Sequence, residues 1–94
     1  MAFDPADRYR LSPRVGLRPE PFGALAYHYD TRRLVFLKSN DLVALVRSLE
    51  SHASAADAID AVVDPTTGRR SAYVTALASL CESGVVEPLL EPAA

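Results

Sequence analysis

The sequence predicts an α+β fold: an N-terminal three-stranded antiparallel sheet followed by a three-helix bundle. Three observations carry this. Before Ser39 the apolar residues alternate and are interrupted by prolines, the pattern of strands and turns. After Ser39 they recur at three- and four-residue spacing between capping residues, the pattern of helices. At 94 residues the chain makes one domain with a small core.

The chain opens on an Ala-, Pro- and acid-rich segment, Met1–Asp7, which reads as a loose end, as does Glu91–Ala94. Tyr9 to Pro21 contains Pro13, Pro19 and Pro21. Proline lacks an N–H and biases its predecessor towards extended backbone, so this arm is not helical. Within it, Val15-Gly16-Leu17-Arg18 is either a short strand ended by Pro19 or a linker lying over the core.

The densest apolar stretch is the hairpin Gly23–Lys38. In Ala24–Tyr29, Leu25, Tyr27 and Tyr29 share one face, and Ala24, Ala26 and His28 the other. Asp30-Thr31-Arg32 is short enough for the loop but lacks the usual glycine. The next strand, Arg33–Lys38, has Leu34-Val35-Phe36-Leu37 at its centre and so is apolar on both faces. As the last strand of a meander it is an edge, with open N–H and C=O groups that invite another strand. Its second apolar face is covered either by the protein's own helices or by a partner.

Ser39 or Asn40 caps the first helix, with Asp41 in its first turn and Leu42, Leu45, Val46 and Leu49 as its stripe. Glu50-Ser51-His52 ends it. Ser54 caps the second, a short helix that turns Ala58, Ile59 and Val62 inward and stops at Asp64-Pro65 before a Thr66-Thr67-Gly68 loop. The third runs from Arg70 to Ser83 with Tyr73, Leu77, Leu80 and Cys81 inward and Val74 beside them. Gly84 stands at the left-handed position after it. Val85-Val86 is a brief extended return.

Composition narrows the function. A net charge of −2 gives no global field towards nucleic acid or anionic lipid. No apolar run reaches the ~20 residues of a membrane span, and the N-terminus lacks a signal pattern. One cysteine allows no internal disulfide and fits the cytoplasm. The two histidines, His28 and His52, have no metal-ligand spacing to each other or to Cys81. Cys81 on an apolar helix face reads as a small buried hydrophobe. The four glycines are scattered and form no phosphate loop. These absences point away from an enzyme, and no metal or cofactor is expected. Two arginine pairs, Arg32-Arg33 and Arg69-Arg70, are either a solvated rim or the two sides of a groove that receives carboxylates.

The run YRLSPRVGLRPEPFGALAYHYDTRRLVFLKS, Tyr9 to Ser39, resembles the small peptide chaperones of mycofactocin biosynthesis, a branch of the peptide-recognition elements related to the pyrroloquinoline-quinone peptide chaperone. VGLRPEPFGALAYHY and RRLVFLKS are its specific parts, and the helical half fits in pattern. The resemblance implies a winged helix-turn-helix-like fold and no catalysis. It implies binding the leader of a ribosomally made precursor peptide and delivering it to a radical S-adenosylmethionine (SAM) maturase, which carries the clusters and cofactor. The leader would add as a strand to Arg33, Leu34, Val35, Phe36, Leu37 and Lys38, against Arg69, Arg70, Tyr73, Val74 and Leu77. A winged-helix DNA-binding protein is the alternative, opposed by the net acidity and by a third helix with no Lys or Arg between Ser71 and Ser83. A dimerisation module using the same apolar edge is a third reading.

Overall fold

The computed structural model describes residues 3–63 and 68–89. The expected stop at Asp64-Pro65, the loop threonines Thr66 and Thr67, the first two residues and the Glu91–Ala94 end lie outside the described residues. The element order is β1 (Tyr9–Leu11), β2 (Val15–Glu20), β3 (Gly23–His28), β4 (Leu34–Leu37), α1 (Asn40–Ser48) with a 3-10 turn at Leu49–Ser51, α2 (Ala55–Val62), α3 (Arg70–Glu82) and β5 (Val86–Pro88).

The α+β class holds. The expected sheet is β2-β3-β4, antiparallel throughout, with Leu25 opposite both Arg18 and Phe36. A second, two-stranded sheet, β1-β5, joins the two ends of the chain, with Tyr9 opposite Pro88 and Leu11 opposite Val86. Across it Arg10 and Glu87 form an ion pair at 2.8 Å. Val15–Glu20 is therefore a strand and not a linker, and Tyr9–Leu11 is a further strand that sequence did not disclose.

The β3–β4 loop shows how a hairpin closes here without glycine. Arg32 N–H donates to the His28 carbonyl at 2.7 Å, and His28 N–H to the Arg33 carbonyl at 3.0 Å. This is a bulge whose first residue is left-handed, and Arg32 takes that position with φ 59°. At the other end of the hairpin, a side chain on Gly23 (φ 148°) would strike the Leu37 carbonyl, so only glycine lets β3 and the end of β4 approach so closely.

The caps fall where expected. Ser39 Oγ accepts from Leu42 N–H at 3.0 Å, and Ser54 Oγ from Asp57 N–H at 3.1 Å. After α3, Val85 N–H reaches the Leu80 carbonyl and Gly84 N–H the Cys81 carbonyl, a Schellman ending around Gly84 at φ 83°.

The core lies between the sheets and the helices. Leu37, Leu45, Leu49, Ile59, Leu77, Val46, Val85 and Val86 are its largest fully buried side chains. α1 packs on β3, and α3 packs on α2 and β5. β3 meets the helix with Ala24 and Ala26, both wholly buried. Their small size lets the helix lie close, so the bulkier Leu25, Tyr27 and Tyr29 point the other way.

The N-terminal segment is held over residues 3–7, where a loose end was expected. The Phe3 ring lies 4.7 Å from that of Tyr9, and Asp4 N–H donates to Tyr9 Oη at 2.9 Å. The Asp7 and Pro5 carbonyls accept from Ala55 and Ala56 N–H, each at 2.9 Å. These are amides in the first turn of α2 that the helix itself leaves unpaired.

Candidate functional site

β4 is the open edge of the three-stranded sheet, with β3 on one side and, among the described residues, no strand on the other. The N-terminal arm does not cover it, because β1 is spent on β5. The hairpin bonds fix which groups are free. His28 and Arg33 are a hydrogen-bonded pair. Antiparallel alternation then makes Ala26/Val35 and Ala24/Leu37 bonded pairs, and Tyr27/Leu34 and Leu25/Phe36 unbonded ones. The N–H and C=O of Leu34 and Phe36 therefore point away from β3, into the open edge.

The side chains of β4 divide by face. Leu37 is fully buried and Val35 half-buried against the core. Leu34 and Phe36 are 54% and 58% exposed on the outer face. The protein's own helices thus cover one face of the strand and leave the other bare.

Between the end of β4 and α3 runs a cleft of about 190 Å³, lined by Lys38, Ser39 and Leu42 on one wall and Arg69, Ala72, Tyr73 and Ala76 on the other. Arg69 lies over the Tyr73 ring, 5.5 Å from its centre, and donates to Tyr73 Oη at 3.2 Å. This contact of cation and ring holds the guanidinium at the cleft mouth. Lys38 and Arg69 make the cleft cationic, while the two alanines leave it room.

Of the residues singled out in sequence, the structure brings Lys38, Arg69 and Tyr73 into this cleft, with β4 running up to it. It sends others elsewhere. Leu77 is fully buried in the core. Arg70 Nη1 donates to Asp60 Oδ1 at 2.6 Å, which clips α3 to α2. Arg70 and Val74 line a separate depression with Gly68, Ser71 and Thr75. Arg33 is exposed just before β4, with Arg32 beside it. The helix stripe overlooking the cleft is thus 69, 72, 73 and 76, one position away from 70, 73, 74 and 77. Sequence reasoning missed Leu42, Ala72 and Ala76; two alanines at i, i+4 on a helix were the available sign of a wall that leaves space.

Among the described residues the titratable groups make no reactive set. Burial pushes the Cys81 thiol up, so it stays protonated at neutral pH. His28 Nδ1 lies 3.2 Å from Asp30 N–H and accepts from it within the turn. Asp30 is held below the usual carboxylate range chiefly by the hydrogen bond from Arg14, whose Nε donates at 2.9 Å. No group of three or more metal-ligating side chains occurs among the described residues, and no described helix is long and apolar enough to cross a membrane.

A small fold with an open strand edge, a cationic cleft beside it and no catalytic constellation among the described residues is the build of a binding module. The comparisons with known proteins give it a family. Residues 8–87 match the model of the peptide chaperone MftB family. The chain is 44% identical over 88 residues to a peptide chaperone MftB of Mycobacterium ulcerans (strain Agy99), covering 93% of this chain and 79% of that one. It is 41% identical over 88 residues to one of Mycolicibacterium smegmatis (strain ATCC 700084 / mc(2)155), covering 94% and 85%. It is also 41% identical over 87 residues to one of Mycobacterium tuberculosis (strain ATCC 25618 / H37Rv), covering 92% and 78%. No solved structure matches. The chain belongs to the peptide chaperone MftB family, whose members are chaperones and not enzymes. Nothing in the comparisons supports the DNA-binding alternative.

Proposed function

We propose that this protein binds the leader of a ribosomally made precursor peptide by strand addition to β4 and delivers it to the radical SAM maturase of mycofactocin biosynthesis. The observation that carries this is the open edge of β4, where the main-chain groups of Leu34 and Phe36 face outward beside the cleft to α3. An extended peptide paired there gains main-chain hydrogen bonds for affinity and alternating side-chain positions for register. One of its faces lies beside Leu34 and Phe36. The other lies over the cleft, where Lys38 and Arg69 receive a carboxylate.

Titrating the ¹⁵N-labelled protein with the precursor peptide tests this by mapping which amides shift. Shifts at Leu34, Phe36, Lys38 and the Arg69–Ala76 stripe are expected. Shifts confined to the β1-β5 sheet and α2 would refute the site. The Lys38→Glu and Arg69→Glu variants should each weaken binding, more so at low salt; Arg70→Glu should act on the α2–α3 contact instead.

A further inference from the structure

Among the described residues, none forms a layer over the outer face of the β2-β3-β4 sheet. Phe22, Leu25, Tyr27, Tyr29, Leu34 and Phe36 lie there, and all but the partly buried Leu25 are at least 37% exposed. Phe22 and Phe36 meet edge-on at 5.8 Å, as do Tyr27 and Tyr29. A hollow of about 480 Å³ opens at Phe22, Phe36 and Lys38, and another of about 390 Å³ at Leu25, Tyr27, Tyr29 and Leu34. A contiguous exposed apolar surface on a small soluble domain marks an interaction site.

The charges around it say what kind of partner fits. Its acids are already neutralised: Asp30 is held by Arg14, and Glu20 by Arg18 at 3.2 Å. Its remaining cations are not. Arg32 and Arg33 at one end of β4 and Lys38 at the other have no acidic partner among the described residues. Arg32 holds its place at φ 59°, where glycine would sit without strain. The face is therefore apolar at its centre and positive at both ends of its outermost strand. A second copy fits it badly, because two-fold pairing along β4 brings cation against cation.

We propose that this face docks a second protein, one presenting an apolar surface flanked by carboxylates: the enzyme to which the bound peptide is handed. This rests on the peptide-binding reading above. The two surfaces share β4, because Leu34 and Phe36 turn their main chain to the edge and their side chains to this face. A partner seated on the face lies directly beside a peptide paired at the edge.

The test measures three quantities: binding of the fluorescent precursor peptide by anisotropy, binding of the radical SAM enzyme by interferometry, and the mass of the free protein by sedimentation equilibrium. The variants are Phe22→Ser with Tyr27→Ser, which change the face without altering a residue of β4, and Arg32→Gly, which removes charge and relieves backbone strain together. We expect enzyme affinity to fall about tenfold or more in the double variant. In Arg32→Gly it falls several-fold at low salt, and peptide affinity stays within about twofold in both. Unchanged enzyme affinity in both variants overturns the proposal. So does a parallel loss of peptide affinity, or a wild-type dimer that the double variant splits. Peptide binding by a wild type that ignores the enzyme overturns this proposal and leaves the peptide reading intact. Enzyme binding that the variants weaken, with no peptide binding at all, refutes the peptide reading and the handover with it, and leaves the face as an enzyme-docking surface alone.

Discussion

Phe36→Pro separates the open edge from the fold. Phe36 sits opposite Leu25 in an unbonded pair, so its N–H contributes nothing to the sheet. Proline there removes a donor that only an added strand would use, and edge strands tolerate proline where the N–H faces solvent. The ring is 58% exposed, so its loss opens no core cavity. The effect on binding is larger, since a peptide carbonyl loses its partner while being desolvated. That costs about 1–3 kcal/mol, or roughly 5- to 150-fold in Kd. Phe36→Ala, which keeps the N–H, corrects for the lost side chain. The companion Val35→Pro behaves differently. Val35 is in a bonded pair with Ala26, so proline there breaks the sheet itself. The assay is peptide anisotropy beside urea denaturation. Equal affinities of Phe36→Pro and Phe36→Ala, both folded, would refute strand addition.

Three further outcomes follow from the packing and the charges. Ala26→Leu forces a larger side chain between β3 and α1, and should destabilise by about 1–3 kcal/mol in chemical denaturation. Gly84→Ala puts a side chain at φ 83° and near the His28 ring, and should lower the melting temperature by roughly 4–8 °C for each kcal/mol lost. Asp30 should titrate below its ordinary 3.8 in carboxyl-detected NMR, and Arg14→Ala should return it there. Because its folded pKa is depressed, the pair's contribution is present above that ordinary value and is lost as pH falls through the folded one.

Helix caps and the order of elements were legible because they depend on neighbours in sequence: Ser39, Ser54 and Gly84 act on groups within five residues. The edge position of Leu34–Leu37 was legible as the last strand of a meander, but not whether the protein's own helices would cover its second apolar face; Leu34 and Phe36 are exposed there. What escaped depends on distance through space. β1 is three residues whose pairing comes from the far end of the chain. In β3, hydrophobicity alone would turn Leu25 and Tyr27 inward. The close approach of α1 reverses that, and only the alanines fit beneath it. Periodicity gave α3 a stripe, but which stripe overlooks β4 is set by the helix's rotation about its axis. That rotation follows from burying Tyr73, Leu77 and Leu80 together.

The β1-β5 pairing also bears on how the protein is made. Val86–Pro88 leaves the ribosome long after Tyr9–Leu11, and Ser12 N–H waits for the Val85 carbonyl, 2.8 Å away in the finished fold. The hairpin and α1 rest on local contacts and can form during synthesis, whereas this closure joins the most separated parts of the chain and comes last. Until then Tyr9–Leu11 has no partner strand. A truncation before Val85 would therefore leave β1 without its partner strand and Ser12 N–H without its acceptor.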